Sequence, residues 1–296
     1  MASTRLPNWA RQQSAAFRAL VVFTVVALLY GIAITAIAQI PGLKNKADGS
    51  LVSFNGHVVG SALIGQLFTD SKGNPLPKYF QPRPSAAGAA GYDPTASSGS
   101  NLGPESILDV LPNPAVKGDT GKPSLLTQVC SLSKSIGDFN GVNGRRTFCT
   151  ADGVGAVLSV LHAHGLTGPI TKVVSANQEC PAAPFVTTFL GHRVECATYG
   201  VNYNAGRLVP IAGPGRSVNN PVPADAVTTS GSGLDPAISV AYAQLQAPRV
   251  ARTRGISLGT VQHLIETYTV GRSLGFMGEP FVSVLQLNIA LDQLTG

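Results

Sequence analysis

The sequence predicts an α+β protein in which a single N-terminal transmembrane helix precedes an extracytoplasmic mixed α/β domain with an inserted, loop-rich subdomain. An uncharged apolar run lies near the N-terminus, and short β-branched segments and helical patterns follow it. Gly (33) and Pro (21) are frequent among the 296 residues, and charged residues make up only 12% of them. Much of the chain is therefore expected in turns and connections.

The apolar run is long enough to cross a bilayer. Residues 19–43 carry no charge, and a hydrocarbon core requires roughly 20 apolar residues. Residues 1–18 carry three basic residues and no acidic ones: Arg5, Arg11 and Arg18. By the positive-inside rule, the N-terminus is predicted to be cytoplasmic and everything after residue 43 to be exported, in a single-pass protein of the cell membrane.

A cleaved signal peptide is the alternative to this anchor. Ala36-Ile37-Ala38 has the small-x-small form that signal peptidase accepts. The apolar run is longer than the roughly 7 to 15 residues of a signal-peptide core, which favours a retained anchor. If cleavage did occur, the chain would be an exported, disulfide-containing binding protein.

The first exported elements have clear local signals. Leu51–Phe54 and His57–Val59 flank Asn55-Gly56, a pair that adopts the positive φ angles of a type I′ hairpin turn. Prolines over residues 75–84 predict an extended, non-helical stretch. Residues 88–103, rich in Gly, Ser and Ala, are interpreted as an ordered loop because larger side chains interrupt them.

Four later segments are assigned by pattern. Val154–His164 is predicted to be helical. A second helix is expected to begin at Asp235 as N-cap and run to Leu245, because Pro236 is suited to a first helical position. A third, Leu258–Tyr268, has an apolar stripe of helical spacing. Phe281–Ala290 is predicted to be a buried strand.

All four cysteines lie in residues 110–220, which read as a separate insertion: Cys130, Cys149, Cys180 and Cys196. Their even number in an exported region predicts disulfides, and three connectivities are open. No C-x-x-C or H-E-x-x-H element is present, so a zinc site with His162, His164 or His192 is not favoured and no metal is predicted.

No self-sufficient active site is predicted. Gly118–Lys122 has the wrong glycine spacing for a phosphate loop, and Pro123 stands where Ser or Thr would bind magnesium. The net charge is +6 but the basic residues are scattered, which argues against nucleic-acid binding. Two segments, 97–104 and 230–236, are rich in Gly and Ser, a composition that can form an anion cradle, although tight turns explain them better.

Six blocks in these segments resemble KdpC, the C subunit of the bacterial potassium-transporting P-type ATPase. They are Asn55–Phe68, Tyr79–Ala86, Tyr92-Asp93 with Ser97–Pro104, Val222–Ser239, Arg249–Gly255, and Gly271–Pro280 continuing into Leu287–Asp292. The resemblance implies a KdpC-like domain over residues 44–109 and 221–296. Residues 110–220 then stand where the family has a much shorter connection.

The resemblance also implies a function. The family's C subunit is a non-catalytic accessory of a high-affinity potassium-uptake complex with a channel-like A subunit, an ATP-hydrolysing B subunit and a small F subunit. It is described as stabilising the complex and as a catalytic chaperone that raises the ATP affinity of the B subunit. No covalently bound cofactor is expected, and ATP would enter through the complex.

The implied nucleotide contacts in this chain are Ser97, Ser98, Gly99 and Ser100. The predicted topology places them outside the cell, whereas ATP is inside. We therefore expect the domain to cover the outer face of the channel-like subunit and to affect the ATPase indirectly. Four arginines in the matching blocks, weighed as partner contacts, are better interpreted as structural or surface charges: Arg83, Arg249, Arg252 and Arg272.

Overall fold

The computed structural model describes residues 7–215, 219 and 221–295. The predicted cytoplasmic Arg5 and the predicted end of the insertion at Asn220 lie outside the described residues. The chain divides into two compact units, Met1–Leu63 and Ile64–Gly296.

The first unit contains the apolar helix and a hairpin. Helix α1 spans Asn8–Ala38, its most apolar window has a mean hydropathy of 2.6, and none of that window is buried. A short helix α2 (Lys44–Ala47) follows it. Strands β1 (Leu51–Phe54) and β2 (His57–Ser61) then pair antiparallel. Asn55 and Gly56 have φ angles of 50° and 80°, so the predicted hairpin turn is confirmed.

The second unit contains the other helices and strands of the described chain. Its helices are α3 (Leu125–Asn140), α4 (Val240–Arg254), α5 (Leu258–Thr267) and α6 (Val284–Thr295). Its strands are β3 (Val157–His164), β4 (Thr167–Glu179), β5 (Thr188–Phe189), β6 (His192–Ala197), β7 (Arg207–Pro210), β8 (Ala237–Ser239), β9 (Thr269–Val270) and β10 (Phe281–Ser283). The predicted α+β class is confirmed.

The strands form two sheets in this unit. Strands β8, β10 and β9 form an antiparallel sheet in that order. A five-stranded sheet has the order β5-β6-β4-β3-β7, in which only the β4–β6 pair is parallel. The larger sheet and α3 both lie within residues 110–220, which therefore contain much regular structure.

The main hydrophobic core joins residues far apart in sequence. It is built from α4, α5, α6 and the smaller sheet, and it encloses Phe80, which is 0% exposed. Phe80 belongs to the predicted extended stretch, which contains no helix. Val129, Leu132 and Ile136 of α3 pack against the same core. The cysteine-containing region thus shares its packing with the blocks on either side of it.

Three predicted elements are wrong in type or position. Val154–His164 is not a helix, because it contains β3, the strand between β4 and β7. Residues 157–160 are buried on both faces of that sheet, so the alternation that identifies a strand is lost. The predicted strand Phe281–Ala290 is β10 for only three residues and then continues as α6.

The helix expected from Asp235 begins later. Its N-cap is Ser239, whose Oγ accepts a hydrogen bond from the Tyr242 amide at 3.0 Å. Pro236 instead precedes β8, and its carbonyl accepts a hydrogen bond from the Val284 amide at 3.1 Å. The predicted helix Leu258–Tyr268 is confirmed as α5, with Val261 and Ile265 buried.

Candidate interaction site at two packed glycine and serine loops

The two glycine and serine segments identified in the sequence lie against each other. We call them the 97–103 loop and the 230–235 loop. Ser97 Oγ donates to the Ser232 carbonyl at 2.7 Å. A Cβ atom on Gly99 would lie 2.7 Å from the Ser230 carbonyl oxygen, closer than real side chains approach. Glycine at position 99 is therefore required by this packing.

Two amide groups of the 230–235 loop are already bonded within the loop. The Gly233 amide donates to Ser230 Oγ at 2.8 Å, and the Leu234 amide donates to Ser232 Oγ at 3.2 Å. The helix predicted to follow this loop begins only at Val240. These serine-closed turns leave neither the Gly233 amide nor the Leu234 amide free to bind an anion.

The exposed residues of the 97–103 loop are Ser97, Ser98, Ser100 and Asn101. Ser98 Oγ lies 3.5 Å from the Gly99 carbonyl, which is at the limit of a hydrogen bond. Ser100 Oγ accepts from the Leu102 amide at 3.3 Å. Residues 97–103 include no basic side chain. The loop can offer hydroxyl and amide groups to a partner, but it offers no charge to a phosphate.

An ion pair lies beside the two loops. Arg83 Nη1 donates to Asp235 Oδ2 at 2.6 Å, and the two side chains are 21% and 37% exposed. Arg83 Nη2 donates to the Thr228 carbonyl at 3.1 Å. Within the part of the chain that the structure describes, the buried Nε of Arg83 has no hydrogen-bond partner. Arg83 therefore links the proline-rich stretch to the start of β8.

A buried tyrosine, Tyr92, is hydrogen-bonded to the backbone of Arg83. Tyr92 has a φ of 57°, and its hydroxyl donates to the Arg83 carbonyl at 2.7 Å. Burial raises the pKa of Tyr92 well above its usual value of 10, so the hydroxyl stays protonated as a donor. Gly65 packs so closely on the Tyr92 ring and the Asp235 carbonyl that a Cβ atom would clash with both.

A cleft of about 390 Å³ opens next to the ion pair. Its lining residues are Arg83, Asp225, Asp235–Ser239 and Glu279–Phe281. Asp225 is held in place, because its two oxygens accept from the Ser239 amide at 2.7 Å and from Ser239 Oγ at 2.8 Å. The cleft is lined by charged groups that also hold the local fold together.

The structure pairs the cysteines as Cys130–Cys149 and Cys180–Cys196. The first pair is buried between α3 and the loop before β3, and the second has an exposed cysteine, Cys180. Neither bond leaves a thiolate for metal binding. No group of three or more His, Cys, Asp or Glu side chains within the described ranges is placed to hold a metal ion.

Two G-x-S-x-G sequences, which the sequence analysis missed, do not form nucleophile elbows. One spans residues 255–259, where Ser257 is the N-cap of α5 and accepts from the Thr260 amide at 3.0 Å. The other spans residues 271–275, where Ser273 lies in a tight turn between β9 and β10. A nucleophile elbow requires a strand-to-helix turn, which neither has.

Comparison with known proteins gives a consistent family. The chain matches the family model described as KdpC: K+-transporting ATPase, c chain, over residues 13–109 and 208–293. Both packed loops, the Arg83–Asp235 pair and the cleft lie within those ranges.

Several relatives match almost the full chain. A potassium-transporting ATPase KdpC subunit of Mycobacterium tuberculosis is 36% identical over 285 residues, which cover 96% of this chain and 99% of the relative. Proteins of the same name from Methylococcus capsulatus and Gemmatimonas aurantiaca are 32% and 33% identical, over 93% and 92% of this chain and 94% and 86% of their own. Residues 110–207 fall outside the family model, whereas these alignments take in nearly the whole chain.

Proposed function

Because this chain belongs to the KdpC family of potassium-transporting ATPase subunits, we propose that it assembles with a channel-like subunit, an ATP-hydrolysing subunit and a small fourth subunit of a potassium-uptake pump and stabilises their complex. The near full-length match to proteins of that name carries the proposal. The apolar helix α1 and the family support a single-pass membrane protein. Such an anchor can enter a membrane complex directly.

The test of assembly uses the tagged full-length chain produced together with the other pump subunits. After detergent solubilisation, we expect the tag to recover an uncleaved chain with the channel-like and ATP-hydrolysing subunits. A chain that begins at Gln39 and brings down no pump subunit would overturn the proposal in favour of a released, exported binding protein. Intact mass on the same sample separates the two outcomes.

We further propose that the second unit is extracytoplasmic. The two disulfides support this placement, because such bonds persist in oxidising compartments. In intact cells, a membrane-impermeant maleimide should label Lys117→Cys, an exposed position in that unit. It should label Gln12→Cys only after permeabilisation. The reverse pattern would overturn the topology.

We propose that the chain raises the ATP affinity of the pump without hydrolysing ATP itself. An indirect effect across the membrane is compatible with an exported domain, whereas direct contact would require nucleotide outside the cell. Potassium-stimulated hydrolysis should show a higher KM for ATP in the pump lacking this chain. An unchanged KM in a stable, potassium-stimulated complex would contradict the proposal.

Direct nucleotide contact at Ser97, Ser98, Gly99 and Ser100 is the second candidate, supported by the exposure of the three serines of this set. Ser98→Glu would place a negative charge against a phosphate and should then raise the KM for ATP, whereas Ser71→Glu, at an exposed site away from the loop, should not. If Ser98→Glu leaves KM unchanged, direct contact is excluded and the indirect role stands.

A further inference from the structure

The tight turn between β9 and β10 presents three large apolar side chains to solvent. Leu274 is 83% exposed, Phe276 is 71% exposed and Met277 is 52% exposed. They are close together in a chain segment of four residues. We call residues 272–279 the apolar turn. Single exposed apolar residues are ordinary, but three at one tip indicate an interaction surface.

The apolar turn is held in one conformation. The amides of Ser273 and Met277 each donate to the other's carbonyl at 2.9 Å. At its base, Arg272 Nη2 donates to Glu279 Oε2 at 2.7 Å. The amides of Ser273, Gly275, Phe276 and Met277 all donate to carbonyls within the turn, so these four donors need no water when the tip enters an apolar recess. A preformed turn also loses little conformational freedom on binding.

The residue at the tip is unfavourable for the isolated chain. Leu274 has a φ of 54° and is followed by Gly275 with a φ of 80°, which is a type I′ turn. A Leu side chain disfavours the left-handed conformation, whereas Asn or Gly accepts it. Exposure of the Leu side chain adds a second unfavourable contribution. Burial of the Leu274 side chain against a partner would remove the cost of its exposure.

The charges around the apolar turn distinguish between two kinds of partner. Turns that enter lipid headgroups usually carry several basic residues, but this one has Arg272 balanced by Glu279, which is 79% exposed. The turn and the adjoining cleft together have three carboxylates, from Asp225, Asp235 and Glu279, against the two guanidinium groups of Arg83 and Arg272, so one net negative charge remains. The apolar turn beside an acidic cleft is complementary to a protein surface that has an apolar recess and a basic rim.

We propose that the apolar turn inserts into an apolar recess of another pump subunit, and that the adjoining cleft receives a basic side chain of that subunit. This inference rests on the proposed function, since it names the surface through which the chain joins the complex. Leu274 and Phe276 are the central contacts, and the cleft sets the orientation. The apolar turn lies outside the two packed loops, whereas Asp235 of the cleft is the last residue of the 230–235 loop.

A matched pair of variants tests the contact. Leu190 is also an exposed Leu (70%) with a φ of 47° before a glycine, in the turn between β5 and β6. Leu274→Asn and Leu190→Asn therefore make the same chemical change in the same backbone conformation, and Asn favours that conformation. In size-exclusion chromatography of the detergent-solubilised complex, Leu274→Asn should reduce the affinity roughly tenfold or more, the effect expected for one buried leucine. Leu190→Asn should leave it unchanged.

Cross-linking identifies the partner. A photo-cross-linking amino acid at position 274 of the purified complex should form an adduct with another pump subunit, and one at position 190 should not. An adduct with lipid alone would overturn the inference in favour of a bilayer contact. Full assembly of Leu274→Asn and Phe276→Ser would also overturn it, while recovery of the wild-type complex would still support the proposed function. Failure of the wild-type chain to assemble would overturn both.

Discussion

Arg249 Nε donates a hydrogen bond to Asn140 Oδ1 at 3.0 Å, and this contact joins α4 to α3. Arg249 is 3% exposed, its guanidinium lies 4.3 Å from the centre of the Phe139 ring, and it also donates to the Tyr79 carbonyl at 3.0 Å and to that of Pro77. Helix α3 lies outside the range matched by the family model, whereas α4 lies inside it. The cysteine-containing region is therefore bonded into the core that the family shares.

Replacing this buried arginine should destabilise the fold. Arg249→Met keeps much of the side-chain volume but leaves Asn140 and two carbonyls without their donor, which we expect to lower the free energy of unfolding by about 2–4 kcal/mol. Burial lowers the pKa of Arg249 to about 10, as expected for a cation held largely by neutral acceptors. Urea unfolding of the full chain in detergent measures the loss.

The control is Arg252→Met, at an exposed position of the same helix. Surface changes of this kind alter stability by about 0.5 kcal/mol or less. Equal losses in the two variants would show that the hydrogen bonds of Arg249 contribute nothing beyond the loss of a charge from α4.

The two disulfides should differ in their contribution to stability. They close loops of similar length, with sequence separations of 19 and 16 residues, so loop-closure entropy predicts nearly equal effects of about 3 kcal/mol. Cys130 and Cys149 are each 1% exposed, whereas Cys180 is exposed. Replacing the buried pair by Ala also removes core packing, and we expect the larger loss there. Urea unfolding of the two double variants makes the comparison, and equal losses would contradict a packing contribution.

The segments with strong local signals were predicted correctly from the sequence. Asn55-Gly56 determines its turn by backbone preference, and the apolar stripe of α5 fixes a helix regardless of its surroundings. Helix α3 was not predicted. Its fully buried positions are small or polar: Thr127, Cys130, Ser133, Gly137 and Asn140. Its apolar stripe of Val129, Leu132 and Ile136 is only partly buried against the main core, so the apolar spacing and the most buried face do not coincide.

The candidate site was predicted only in part. The sequence identifies both glycine and serine segments, but it does not show that Ser97 and Ser232, which are 135 positions apart, are bonded. The same holds for Arg83 and Asp235, which are 152 positions apart. The local sequence fits Asp235 as a helix N-cap as well as it fits the ion pair with Arg83, so it cannot distinguish the two roles. Contacts between distant residues depend on how the two sheets and the helices pack, and local patterns do not encode that.

The close approach of the two loops can be tested at one glycine. Gly99→Ala would place a Cβ atom against the Ser230 and Gly231 carbonyls, at 2.7 and 2.9 Å, and backbone atoms cannot move as cheaply as a side chain. We expect a loss of about 1–3 kcal/mol in the free energy of unfolding and faster proteolysis in residues 97–103. Gly231→Ala is the matched control, because no atom lies within 4 Å of its added Cβ. Similar losses for both variants would mean that the loops do not pack as described.

The pH dependence of stability should have opposite signs at two aspartates. The Asp109 carboxylate accepts from the Ser124 amide at 2.8 Å and from Thr127 Oγ1 at 2.9 Å, but burial raises its pKa above the usual value of 3.8. Its contribution to stability is therefore present below pH 3.8 and is lost as the pH rises through the raised pKa. Asp109→Asn should abolish that decline in the free energy of unfolding, measured by urea titration at several pH values.

Asp119 provides the control of opposite sign. Amides of Asn113 and Gly121 donate to its carboxylate at 2.7 and 3.0 Å and hold its pKa below 3.8. Its contribution to stability is present above pH 3.8 and is lost as the pH falls through the lowered pKa. The free energy of unfolding of the wild-type chain should therefore rise as the pH is raised from the acid range, and Asp119→Asn should remove that rise. If the two variants shifted the pH profile in the same direction, burial would not be the dominant influence on Asp109. The carboxylate would then have to be hydrated rather than enclosed between α3 and the five-stranded sheet.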